Sequence, residues 1–173
     1  DLNLYILKDV SAGLWLVNQT GVNYPFWYRS AMAQLLAASE IHGNKFDFGR
    51  IRPVELSALT SGDWLPFERV LDDARRASLT GDEKRLFRPQ ALALLHYLIW
   101  GRNGAHFDPQ FRQYLTLRDA EVATASAFEQ AFGENINELK GKVADYIRHA
   151  TYVQSDLKNP FDAKQVSVNR MPT

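Results

Sequence analysis

The feature that most constrains this chain is a succession of segments whose apolar residues recur at helical spacing. After residue 52 these segments cover residues 53–61, 66–77, 82–100, 108–117, 120–132 and 135–150. Short stretches rich in Gly, Asn, Asp or Pro separate them, among them "TSGDWLP", "SLTGDE", "GRNGAHFDP" and "GEN". A period of 3.6 residues is typical of amphipathic helices, so we predict a mainly α fold.

Two further helices are predicted in the first forty residues. Residues 2–18 are apolar on most of their circumference, and Leu4, Leu7, Leu14 and Trp15 stand at helical spacings. We therefore expect this helix to be well buried. The stretch "QTGVNYP" ends it, and Pro25 suits the first position of a second helix that runs to about residue 39.

The period changes in "EIHGNKFDFGRI". Phe46 and Phe48 alternate with Asp47 after a Gly-Asn turn, which predicts one short β-hairpin or edge strand within residues 41–52. Residues 1–151 then form one helical domain. Beyond Tyr152 the periodicity ends, so we expect residues 152–173 to be a tail or a linker towards a further domain of the same polypeptide.

The composition excludes several classes of protein. Twenty basic residues balance twenty acidic ones, and the signs are interleaved, so a nucleic-acid partner is not expected. The absence of cysteine excludes disulfides and thiolate nucleophiles, and no apolar run reaches the ~20 residues needed to span a bilayer. The start lacks a signal-peptide pattern and has no Met, so we expect a processed or shortened chain. A periplasmic or secreted location and a cytoplasmic one both stay open.

Spacing alone does not indicate an active site. The chain has four histidines, His42, His96, His106 and His149. No two of them are three or four residues apart, which excludes a paired helical zinc motif. His96, within "LALLHYLIW", is expected to be a hydrogen-bonded core histidine. The motifs of serine nucleophiles and phosphate-binding loops are also missing or lie in the predicted tail.

Five segments occur in an order that resembles a known family. They are "YPFWYRSAMAQLLAASEIHGNKFDFGRIRP", "WLPFERVL", "RPQALALLHYLIWG", "FRQYL" and "AFEQAFG". Together they are similar to the C-terminal, helical half of gluzincin-type zinc metallopeptidases of bacteria, the peptidase MA-like group with a DUF1570-type domain. The resemblance implies a zincin-like (gluzincin) helical subdomain, with residues 1–40 as the former metal-site helices, 41–52 as a hairpin and 53–151 as the helical part.

The resemblance also implies that the zinc site is degenerate. In the family one helix carries H-E-x-x-H, and the next reads approximately P-x-W-x-x-E-G-x-A-E-Y and supplies a third ligand. Matching these motifs sets Lys8 and Ala12 at the histidine positions, Asp9 at the glutamate and Ser30 at the third ligand. Zinc is expected of the family, but these residue types would not bind it, so no cofactor is expected. Lys8 could occupy the metal's space beside Asp9 or point to solvent.

The favoured hypothesis is a non-catalytic, peptidase-like domain that binds a peptide or protein segment or has a structural role. The expected site is a groove between the two former ligand helices, with Arg29 and Gln34 as possible contacts in addition to the degenerate positions. Two alternatives stay open: a zinc metallopeptidase whose ligands lie outside this chain, and an unrelated all-α interaction domain. In the family a mostly β subdomain precedes the first helix. We expect that in this protein the subdomain has been removed, belongs to a separate piece or never existed. A strand pair near residues 44–51 would argue against the unrelated domain.

Overall fold

The computed structural model describes residues 2–18, 23–60, 63–102, 107–150 and 152–156. The helices in these ranges are α1 (Leu2–Asn18), α2 (Phe26–Ala37), α3 (Pro53–Thr60), α4 (Phe67–Leu71), α5 (Gly81–His96), α6 (Phe107–Asp119), α7 (Thr124–Phe132) and α8 (Ile136–Ile147). The strands are β1 (Glu40–His42), β2 (Lys45–Phe48) and β3 (Val153–Asp156). The mainly α prediction is confirmed. Of the helices described, none combines the length and the apolar character that crossing a membrane requires.

The core is built around α2 and α5, which pack against each other. Trp27, Ala31 and Leu35 form one buried stripe on α2, because residues four apart share a helix face. The indole of Trp27 meets the ring of Phe111 edge to face, with the centroids 6.1 Å apart. Burying a large apolar side chain of this kind stabilises the fold by about 1.5–3 kcal/mol. The C-terminal helices thereby close around α2.

Local signals explain where several helices begin and end. Thr80 and Glu83 form a capping box at the start of α5, in which each side chain binds the other residue's backbone N–H. Gly133 ends α7 in the left-handed region at φ 67°, as the "AFEQAFG" pattern predicts. The predicted helix over 66–77 is interrupted, because Asp72 is extended and its carboxylate accepts a bond from the backbone N–H of Ala74. A 3₁₀ helix (Asp73–Ser78) follows.

The three strands form one antiparallel sheet in the order β1-β2-β3. The predicted hairpin is confirmed, with Glu40 opposite Asp47 in the β1–β2 register. Strand β3 was not predicted, and it lies inside the segment expected to be a tail or linker. It pairs with β2, so that Val153 lies opposite Phe48. Residues 157–173 of that predicted tail lie outside the described residues.

The expected deep burial of α1 is wrong. This helix packs chiefly on α2, and in the described part of the chain no element covers its opposite face. That face exposes four large apolar side chains to between 50% and 63%, namely Ile6, Leu7, Val10 and Leu14. The side chains of Leu4 and Trp15 lie outside the described residues. An apolar circumference predicts burial only if elements exist on both sides of the helix, and within the described ranges one side of α1 has none.

Candidate functional site

A groove of about 1070 Å³ opens between α3 and the first half of α5. The buried side chain of Gln34, on α2, also lines it. The groove therefore lies beside the α1–α2 pair, whereas the sequence analysis placed it between these two helices. α1 and α2 pack directly against each other.

The two walls of the groove differ in charge. The α5 wall carries three cations, Lys84, Arg85 and Arg88. Lys84 and Arg88 are four residues apart and so share one face of the helix. Arg85 forms an ion pair of 3.3 Å with Asp82, but both side chains are largely exposed, so the pair leaves most of the positive potential in place.

The α3 wall is mainly apolar, and the charges of Arg52 and Glu55 balance each other, while Asp63 just beyond α3 adds one exposed carboxylate to the lining. Val54 and Ala58 face the groove from this helix, and Val54 is 63% exposed. Arg52 at the start of the wall binds Glu55 through Nε at 2.8 Å to Oε1 and 3.0 Å to Oε2. The guanidinium of Arg52 also lies over the ring of Tyr5, 3.3 Å from its centroid. Burial, with the nearby Glu55 carboxylate, raises the pKa of Tyr5 to about 12, so this phenol stays neutral.

Contacts from α1 and α2 hold Arg88, on α5, in position. Its guanidinium Nη2 donates to Oδ2 of Asp9 at 2.8 Å. Its backbone carbonyl accepts a bond of 3.0 Å from Nε2 of Gln34, which also donates to the carbonyl of Ser30 at 2.9 Å. Arg88 is 47% exposed, so it is fixed from behind and still reaches the groove. A cation held in this way loses little side-chain entropy when it binds an anion.

The structure brings some of the predicted site residues together and separates others. Asp9 and Gln34 meet on Arg88, as described above. The ammonium of Lys8 donates to the carbonyl of Ser39 at 3.1 Å, a contact that neither expectation for this side chain included. Ser30 is buried on α2, and its hydroxyl oxygen has no hydrogen-bond partner among the described residues. Arg29 does not line the groove, and its guanidinium lies 6.0 Å from the ring centroid of Phe26.

The residues at the degenerate positions do not fit a zinc ion. Ala12 has no donor atom, Ser30 offers a neutral hydroxyl and Lys8 an ammonium bound to a carbonyl. The carboxylate of Asp9 is the one conventional ligand of the set, and Arg88 already binds it. Zinc sites in proteins need several imidazole, thiolate or carboxylate donors around one point.

Two polar residues of the "RPQALALLHYLIWG" segment hold the fold together. Gln90 is buried and clamps the backbone of Leu65, accepting from its N–H at 3.0 Å and donating to its carbonyl at 3.3 Å. His96 is fully buried and binds Gly49 and Tyr146 through its two ring nitrogens. Burial lowers the pKa of His96 to about 4, so the ring is neutral near pH 7. The prediction of a hydrogen-bonded core histidine is confirmed.

Sequence reasoning missed the basic wall of the groove. The segment "GDEKRLFR" mixes charges within two turns, which favours an ordinary solvated helix face. The signal that could have identified it is the i, i+4 pair of Lys84 and Arg88, with Pro89 and the apolar side of α5 directly beside it. The α3 wall carries no such signal, because its proximity to α5 arises only in the fold.

Comparisons with protein-family models, with curated proteins and with solved structures gave no match to this chain. The resemblance to gluzincin-type peptidases therefore stays a prediction from the sequence motifs. A functional proposal depends on the groove and its two walls.

Proposed function

We propose that this domain is a non-catalytic, peptidase-like binding module whose groove holds a peptide segment of a partner protein. The observation that carries the proposal is the contrast between the basic α5 wall and the mainly apolar α3 wall. A segment with acidic residues along one side and apolar residues along the other complements both walls at once. The acidic side sets the orientation, and the apolar side supplies most of the buried area.

The groove's own residues favour binding over catalysis. Its lining in the described part of the chain includes two carboxylates and no histidine. Of these carboxylates, Glu55 is buried and bound by Arg52, so it is not free to transfer a proton to a substrate. The other, Asp63, is exposed and has neither a second free carboxylate nor a histidine beside it in that lining. General acid–base catalysis needs a group that can exchange its proton at the reacting atom.

The peptidase-like part of the proposal is supported by how the resembling segments contact one another. Gln90 from "RPQALALLHYLIWG" binds Leu65 in "WLPFERVL", and His96 from the same segment binds Gly49 beside the hairpin. The distinctive polar residues thus join one segment to the next. A scaffold of this kind can persist without zinc chemistry, because these residues stabilise the fold and do not take part in hydrolysis.

Binding can be tested with two pools of short fluorescent peptides. One pool is randomised over Leu, Phe, Asp and Glu, and the matched pool replaces Asp and Glu with Lys and Arg. We expect the protein to enrich peptides from the acidic pool only. The affinity of an enriched peptide, measured by fluorescence anisotropy, should fall about tenfold in Lys84→Glu and in Val54→Asp, since each substitution removes complementarity from one wall.

Matched controls separate the groove from general charge effects. Val10→Asp, on the exposed face of α1, matches the Val54→Asp change in the groove. Lys140→Glu, on α8, matches Lys84→Glu. Neither Val10 nor Lys140 lines the groove. Both variants should bind the peptide like the unmodified protein. Equal losses in control and groove variants, or equal enrichment from both pools, would disprove the proposed groove.

The gluzincin ancestry has a separate test. The variant Lys8→His, Ala12→His, Ser30→Glu restores the family's ligands at the aligned positions. It should be made in a His42→Ala background, so that the exposed histidine on β1 does not contribute a ligand. A gain of one equivalent of tightly bound zinc would support the ancestry and the alignment. Without that gain, a mainly α interaction domain unrelated to these peptidases becomes the better interpretation, and the peptide experiment still reports on the groove.

A further inference from the structure

Three side chains with metal-binding atoms lie on one face of the β-sheet. Glu40 and His42 are two residues apart on β1, so they project to the same side of the strand. Asp47 is the cross-strand partner of Glu40 and joins them from β2. One potential ligand atom from each of the three residues lies within 4.8 Å of the other two. This set is separate from the α3–α5 groove.

Asp47 is the fixed member of the set. It is only 2% exposed, and its two carboxylate oxygens accept separate bonds, one of 2.7 Å from Nε2 of Gln154 and one of 2.8 Å from Nη2 of Arg50. The bond from Gln154, together with Arg50, holds the pKa of Asp47 below its usual range, so the side chain is a carboxylate. Metal-binding carboxylates are commonly oriented by second hydrogen bonds of this kind.

Glu40 and His42 are the adjustable members. Their side chains are 49% and 61% exposed, and Nε2 of His42 lies 2.9 Å from Oε2 of Glu40. A tetrahedral zinc ion with bonds of about 2.1 Å brings its ligand atoms to roughly 3.4 Å from one another. Since both side chains extend into solvent, small rotations bring their atoms from the present spacing to the spacing that a metal ion requires.

We infer that Glu40, His42 and Asp47 bind one divalent cation of the zinc class. One imidazole nitrogen and two carboxylate oxygens are ligands that zinc accepts, with water completing the coordination. The cation also offsets a repulsion, because Glu40 and Asp47 are like charges directly opposite each other across the strands. Lys45 and Arg50 bring positive charge to the same face, which makes the affinity lower than that of a closed structural zinc site.

A cation at this position links β1 to β2 through side chains. Asp47 is in turn bonded to Gln154 on β3, so all three strands become connected around the ion. The expected effect is a sheet that resists thermal unfolding more strongly when zinc is present, because a ligand that binds only the folded state raises its stability. The chain thus carries a metal site on its sheet, away from the helices where the family resemblance places one.

The test is a calorimetric titration of the metal-free, full-length chain with zinc chloride. We expect saturable binding of one equivalent and an increase in the unfolding temperature. His42→Ala should weaken binding by about tenfold or more and abolish the thermal shift, since it removes the nitrogen ligand. His149→Ala, which removes an exposed histidine at the C-terminal end of α8, should leave both unchanged.

Two other variants keep the test decisive. Glu40→Gln changes an exposed side chain, so it should preserve the fold, as circular dichroism can verify, and still weaken zinc binding. Asp47→Asn is informative only if its spectrum matches that of the unmodified chain. The inference is overturned if zinc gives no saturable binding, or if His42→Ala and Glu40→Gln bind zinc as tightly as the unmodified protein.

Discussion

The Nε2 nitrogen of His96 donates a hydrogen bond of 2.8 Å to the carbonyl oxygen of Gly49. A carbonyl can only accept, so this contact assigns the proton of the neutral ring to Nε2. The other ring nitrogen, Nδ1, then accepts from the hydroxyl of Tyr146 at 2.7 Å. One buried imidazole thus connects the residue after β2 to α5 and α8, and its burial favours the neutral form.

We expect the protein to lose stability in mild acid because of this histidine. The pKa of His96 is about 4 in the folded chain and about 6.5 in an unfolded one, so the unfolded chain binds more protons between these values. The free energy of unfolding should therefore fall as the pH is lowered from about 6.5 to 4, by up to about 3 kcal/mol in total. Urea unfolding at a series of pH values measures this slope.

Two histidine variants isolate the contribution of His96. In His96→Gln the slope between pH 6.5 and 4 should flatten, although the variant starts from a lower stability at neutral pH. His149→Gln, at an exposed position, should retain the slope of the unmodified protein. An unchanged slope in His96→Gln would show that other groups cause the acid sensitivity.

Gly49 should not tolerate a larger residue. Its φ of 81° lies in the left-handed region, and a Cβ atom there would be 2.9 Å from Cη2 of Trp100. We expect Gly49→Ala to lower the free energy of unfolding by about 3 kcal/mol, from backbone strain and overpacking together. Gly43, at φ 64° with nothing within 4 Å of the added atom, is the matched control. Gly43→Ala should cost about 1 kcal/mol, and equal losses would contradict the clash.

The side-chain amide of Gln90 should contribute strongly to stability. Gln90→Ala removes both of its bonds to the backbone of Leu65 and leaves a buried N–H and a buried carbonyl without partners. Such a loss costs about 2–4 kcal/mol. Gln113, exposed on α6, serves as the control, and its replacement by Ala should change the free energy of unfolding by less than about 0.5 kcal/mol. Similar values for the two variants in urea unfolding would show that the clamp has little effect.

The capping box of α5 should contribute a smaller, measurable amount. Thr80→Ala removes the acceptor for the backbone N–H of Glu83 and should cost about 1 kcal/mol. In Thr116→Ala the lost bond is one from a mid-helix hydroxyl to the carbonyl of Arg112, which contributes little to helix stability. If thermal unfolding gives Thr80→Ala no larger effect than Thr116→Ala, the box is not formed in solution.

Helices could be predicted where the signals are local. In "AFEQAFG" the spacing of Ala and Phe predicts the buried face of α7, and the final Gly predicts the cap at Gly133. The interruption at Asp72 also has a local cause, because its carboxylate binds the backbone N–H of Ala74. Acidic residues are common within helices, so the sequence did not distinguish this Asp from one inside a continuous helix. The strand β3 was not predictable from "VQSD", because its four residues are exposed and three of them are polar, and it becomes a strand only by pairing with β2.

The candidate site could be predicted only in part. Gln34 was selected from its place on α2, and it lines the groove. Lys84 and Val54, which define the character of the two walls, come from segments thirty residues apart whose proximity depends on the packing of α3 against α5. The burial of Asp47 likewise depends on Gln154, 107 residues away in the chain, so no local pattern could indicate it.

The pairing of β2 with β3 has a consequence for how the chain folds. Gln154 and Asp47 are separated by 107 residues, so their contact closes a loop that contains α3 to α8. Contacts between residues so far apart in sequence form late, after the local helical contacts, because the entropy of closing the loop must be overcome first. We therefore expect β3 to join the local β1–β2 hairpin only after the helices between them have formed, and amide protection in β3 would report that step.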